Sequence, residues 1–109
     1  MGYRSEIVVK FSDEAARVVK KYADINEKVR ELINDAEYTQ ESPGSISTLF
    51  WTWIKWYDSY PEISAFEELL DALPEHHYGL MRSGEEDDDI EERGMPWEYD
   101  IFIRKEISW

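Results

Sequence analysis

Ile7, Val9 and Phe11 alternate with Val8 and Lys10, a period of two that predicts a first strand over residues 3–11. Ser12 then offers an N-cap, and Asp13 and Glu14 suit the positive end of a helix. Ala15, Val18, Val19, Tyr22, Val29, Leu32, Ile33 and Ala36 recur at three- and four-residue spacing, which predicts one long amphipathic helix over residues 13–37. Residues 39–45 carry turn chemistry and read as a loop. Residues 46–57 are rich in aromatic and β-branched side chains and give the strongest strand signal in the chain. Phe50, Ile54 and Trp56 share one face of it, and Leu49, Trp51, Trp53 and Tyr57 share the other. With both faces bulky, the strand is expected to lie centrally, with at least partial cover on each side.

Pro61 fits the first position of a second helix, Ile63, Phe66, Leu69, Leu70 and Leu73 form its stripe, and Pro74 stops it. Tyr78, Leu80 and Met81 suggest a short third strand, residues 84–96 an acidic connection, and Tyr99, Ile101, Ile103, Ile107 and Trp109 one face of a last strand interrupted by Lys105. The expected architecture is a single α+β domain over residues 1–109, in the order β-α-β-α-β-β, with a mostly antiparallel sheet packed against two helices.

Charge sharpens this picture. Of the formal net charge of −13, residues 1–37 carry −1 (eight acids, seven bases) and residues 38–109 carry −12 (seventeen acids, five bases). Phosphates and anionic membrane surfaces are repelled by such a chain, so direct nucleic-acid and membrane binding are not expected. A basic protein or a divalent cation is the natural complement. The chain has no cysteine, which removes disulfide and thiolate chemistry. No apolar run of transmembrane length occurs, and the opening residues lack the apolar segment of a signal peptide, so a cytoplasmic setting is expected.

The acid excess peaks at Glu85, Glu86, Asp87, Asp88, Asp89, Glu91 and Glu92, seven carboxylates in eight residues. If extended, Glu85, Asp87, Asp89 and Glu91 would point to one side at intervals of about 6.6 Å, a row of anions able to enter a groove built for a phosphate backbone. The blander alternative is a solvated loop that keeps the domain soluble. The run lacks the order of an EF-hand loop, so a selective calcium site is not expected. His76 and His77 are the only histidines; without H-x-x-x-H or H-E-x-x-H spacing they read as a surface turn after Pro74, with no catalytic residue, metal ligand or cofactor assigned. Among the tryptophans, Trp56 and Trp53 are expected in the core, and Trp97 and Trp109 are interface candidates. The bases of the first helix are expected to pair with acids on the same helix, or to meet the acidic hairpin of a second copy in a head-to-tail homo-oligomer.

The opening Met1-Gly2-Tyr3-Arg4-Ser5, the junction Ile54-Lys55-Trp56-Tyr57-Asp58-Ser59-Tyr60-Pro61 and the acidic hairpin from Tyr78-Gly79 to Gly94 resemble a group of small acidic bacteriophage and prophage proteins. The resemblance brings no catalytic residues. It implies a setting, the inhibition of host defence or of host nucleic-acid enzymes; joined to the acidic run, the expectation is a non-enzymatic inhibitor in the host cell cytoplasm that acts on a basic nucleic-acid-binding complex, a CRISPR complex or a restriction nuclease, by nucleic-acid mimicry. The partner-binding residues would then be Glu85, Glu86, Asp87, Asp88, Asp89, Glu91 and Glu92, with Trp97 as an apolar anchor. The alternative is a small oligomeric phage accessory or regulatory protein whose acidic loop serves solubility.

Overall fold

The first alternating segment becomes the middle of the molecule. In the computed structural model, which describes residues 2–103 and 107–109, strand β1 (Ser5–Phe11) is flanked on both sides in a five-stranded antiparallel sheet of order β2-β3-β1-β4-β5. The other strands are β2 (Tyr38–Ser42), β3 (Ser45–Ile54), β4 (Tyr78–Ser83) and β5 (Ile90–Gly94). Helices α1 (Asp13–Ile25), α2 (Glu27–Asn34) and α3 (Pro61–Asp71) cover one face. The class is α+β, as the sequence predicts, with three helices in place of two.

The additional helix comes from a break in the expected long one. The buried stripe Ala15, Ala16, Val19 and Ala23 resumes only at Val29, Leu32 and Ile33. A continuous helix would place residue 26 on that stripe, and the chain has a polar Asn there. Asn26 leaves helical geometry and its Oδ1 accepts from Val29 N–H at 3.1 Å, capping α2. Val18 and Ile25 lie off that stripe and stand exposed.

Two strands of the sheet were not expected: β5 lies inside residues 84–96, read as a connection, and β2 comes from a narrower turn. Ser42 pairs with Ser45, so the turn is Pro43-Gly44 alone, and residues 38–42, of which 39–42 read as loop, form edge strand β2. Gly44 has φ +81°, the positive value that a turn with Pro before Gly demands.

Two bulges reset the faces of β3. One extra residue near Ser47 breaks the pairing with β2 and returns Ile46 to the helical side. Another, between Trp51 and Ile54, breaks the pairing with β1. Trp51 and Ile54 therefore both pack toward the helices, whereas Trp53 is 64% exposed. The alternation read from sequence put Ile54 opposite Trp51 and expected Trp53 in the core; the bulge is why neither holds.

Trp51, Trp56 and Phe66 pack ring on ring, with centroids 5.3 to 6.0 Å apart, and Trp51 Nε1 donates to Leu32 O at 3.0 Å. Each such aromatic pair contributes about 0.5–1.5 kcal/mol beyond its buried area. On the opposite face of the sheet, Val8, Met81 and Ile101 form a second, smaller core with Phe50, Ile90 and Tyr99. The C-terminal segment supplies that cover. After β5 it makes a 3-10 turn over Pro96–Tyr99, then pairs β6 (Phe102–Ile103) with β7 (Ile107–Ser108), and Trp109 packs on Tyr38 and Phe50. The single last strand expected from sequence is thus a turn and a short two-stranded ladder, and its interruption at Lys105 lies outside the described residues.

Candidate functional site: a braced acidic hairpin

Strands β4 and β5 run antiparallel and put residues 84–89 at their shared tip. These residues turn tightly: Gly84 N–H donates to Asp89 O at 2.8 Å and Asp89 N–H to Glu86 O at 3.1 Å. The extended row of anions is therefore corrected. Glu85, Glu86, Asp87 and Asp88 form an exposed turn, and only Glu91 and Glu92 lie within strand geometry, on opposite faces of β5.

The seven carboxylates divide into two groups. Asp89 and Glu91 are bound inward by Arg82 of β4. Its Nη2 donates to Asp89 Oδ1 at 2.8 Å and its Nε to Glu91 Oε1 at 2.9 Å. Its Nη1 reaches Asp89 Oδ2 at 3.3 Å and Ser5 Oγ at 3.1 Å. Arg82 and a hydrogen bond from Tyr3 hold the Asp89 carboxyl below its ordinary pKa, and the same Asp89 contact raises the Tyr3 phenol. Glu85, Glu86, Asp87, Asp88 and Glu92 instead face solvent.

The turn is braced by the N-terminal segment. Tyr3 Oη donates to Asp89 Oδ2 at 2.6 Å and accepts from Glu86 N–H at 3.1 Å. Arg4 N–H donates to Glu85 Oε2 at 2.6 Å. Tyr3 N–H in turn donates to the Tyr57 hydroxyl at 2.6 Å, linking the brace to the segment after β3. Gly84 permits the close approach, because a Cβ there would overlap the Asp89 carboxylate and the Tyr3 hydroxyl.

Both Trp97 and Trp53 are exposed, but only Trp53 lies beside the tip. Trp97, 56% exposed, follows the end of β5 remote from the tip, about 14 Å along the strand. Trp53 instead lines a shallow depression beside the tip with Arg4, Glu6, Ser83 and Gly84. Alternation alone had no signal for this, since the β3 bulge decides it.

On the helical side, a cavity of about 510 Å³ opens just beneath the tip of the hairpin. Tyr3, Trp56 and Tyr57 line it together with Asp58, Arg82 and Glu91, and Ser5 and Asp89 complete the polar wall. Farther along β5, Arg93 Nη1 donates to Glu67 Oε2 at 3.2 Å and Nη2 to Asp71. Burial and a hydrogen bond with Asp58 nevertheless push the Glu67 carboxyl up to about 7.

The histidines occupy a 3-10 turn after Pro74, as expected of a surface turn, with rings 4.3 Å apart. His77 Nδ1 is 2.7 Å from Ser12 Oγ, beside the start of α1. Among the described residues no three His, Asp or Glu side chains converge as a metal site, and no helix is long and apolar enough to cross a membrane. Comparison of the chain with protein-family models, with curated proteins and with solved structures finds no match.

Proposed function

We propose that this chain is a non-enzymatic binding protein whose acidic hairpin docks on a basic nucleic-acid-binding surface, and that the target is a host defence complex of the CRISPR or restriction type. The observation that carries the binding role is the bracing of the tip. A solubilising loop needs no fixed shape, yet Tyr3, Arg4 and Arg82 hold this turn while Glu86, Asp87 and Asp88 stay in solvent. A held turn binds with less ordering entropy to lose. Trp53 beside it adds an exposed aromatic of the kind that dominates interfaces. The defence setting comes from the resemblance to small acidic phage proteins.

The test is capture of partners from bacterial lysate on the tagged protein, washed at low and high salt. Retention of a basic nucleic-acid enzyme at low salt, its loss at high salt, and its loss in the variant Glu86→Lys/Asp87→Lys/Asp88→Lys are the expected results. Capture that survives the triple reversal removes the mimicry reading. A salt-insensitive multimer with no partner favours the oligomeric accessory protein instead.

A further inference from the structure

We infer that the cavity beneath the tip of the hairpin receives one organic cation, the guanidinium of an arginine side chain presented by a basic partner protein. This rests on the binding reading above and names what such a partner inserts.

The cavity is built with polar groups where the strand pattern calls for apolar ones. Ser5 heads the row Ser5, Ile7, Val9 and Phe11 on the helical side of β1 and is only 3% exposed. Its hydroxyl accepts from Arg82 and so orients the guanidinium. Arg82 is the single cationic side chain of the lining, and all three of its nitrogens are engaged by Ser5, Asp89 and Glu91. It has little left to offer an anion, so phosphate and carboxylate ligands do not fit.

A cation meets the opposite situation. Three carboxylates, Asp58, Asp89 and Glu91, line the space against that one guanidinium. Asp58 is exposed, and Arg82 bonds Glu91 through Oε1. The Glu67 carboxyl, raised chiefly by burial, is raised further by Asp58 and Glu91. Tyr3, Trp56 and Tyr57 supply aromatic surface, and a planar guanidinium gains from both kinds of wall at once. The opening beside the tip suits a side chain carried by a partner already steered by Glu86, Asp87 and Asp88.

The test is an NMR titration of the full chain with N-acetyl-argininamide, using neutral N-acetyl-glutaminamide as control. The expected result is saturable shifts of the Trp56 indole N–H and the Arg82 Nε–H at about 1–10 mM ligand. Asp58→Asn, an exposed position, should weaken the response by roughly fivefold, and adding Glu91→Gln should weaken it further. N-acetyl-lysinamide should bind more weakly, because an ammonium lacks the planar face. Shifts that do not saturate, that the neutral amide reproduces, or that survive both substitutions overturn the inference. If the triple tip reversal abolishes partner capture while argininamide leaves the spectrum unchanged, only the cavity assignment fails. If argininamide binds but no basic partner is captured, the docking reading fails instead.

Discussion

At the residue scale, Asp89 and Glu67 show how differently two carboxyls fare beside the arginines of one hairpin. Asp89 faces Arg82 and Tyr3 and is held ionised; Glu67 is partly buried on α3, faces Asp58 and Glu91 as well as Arg93, and is pushed up to about 7. The two shifts pull stability in opposite directions with pH. Asp89 contributes stability above its unfolded value of 3.8, which is lost as pH falls through its lower folded value. Glu67 titrates from 4.5 in the unfolded chain to about 7 in the folded one, so folding takes up a proton between those values. Its stabilisation is complete below the first and gone once pH rises through the second. The substitution Glu67→Gln should therefore flatten the decline of Tm between about pH 5 and pH 8 and leave the acid limb intact. Differential scanning calorimetry across that range checks it; an unchanged slope means Arg93 keeps Glu67 ionised throughout. None of this is visible in the sequence, where Glu67 is one acid of the pair Glu67-Glu68 and only the turn of α3 separates their surroundings.

At the element scale, single polar residues decide where elements end. Asn26→Ala removes the cap of α2 and should cost about 1 kcal/mol, read as a lower urea midpoint with an unchanged slope. A larger loss would mean that α1 and α2 separate. The same residue shows how far the sequence was legible. Periods of two and 3.6 located β1, α3 and β4 because each is a regular stretch that carries no extra residue or internal cap. Reading on through Asn26 merged two helices, because the seven residues from Tyr22 to Val29 are also two helical turns. Residues 39–45 held both a strand and its turn, and Pro43-Gly44 was the narrow signal inside the broad polar one. Bulges leave no period of their own, so Trp53 was assigned to the wrong side. The acidic run was plain from composition, whereas its division into Arg82-bound and outward carboxylates depends on cross-strand register.

At the scale of the whole molecule, the charge distribution sets stability against binding. A net charge of −13 on one small domain is self-repulsive, and the exposed turn adds to it without offsetting ion pairs among the described residues. Added salt should therefore raise Tm, because the screening length falls from about 30 Å at 0.01 M to about 8 Å at 0.15 M. Each acid-to-lysine reversal adds two units of charge, so Glu86→Lys/Asp87→Lys/Asp88→Lys takes the chain from −13 to −7. The triple variant should melt higher than the parent at low salt, by roughly 3 °C, and respond less to added salt. Partner capture should move the opposite way and be lost. A chain kept for solubility alone would show the first effect without the second. A variant that melts lower than the parent would mean that these three side chains support the hairpin, and the inward set held by Arg82 would then be incomplete. Higher stability together with lost binding is the outcome that distinguishes a surface shaped for a partner, because the repulsion that weakens the free protein is relieved when a basic groove closes over the turn.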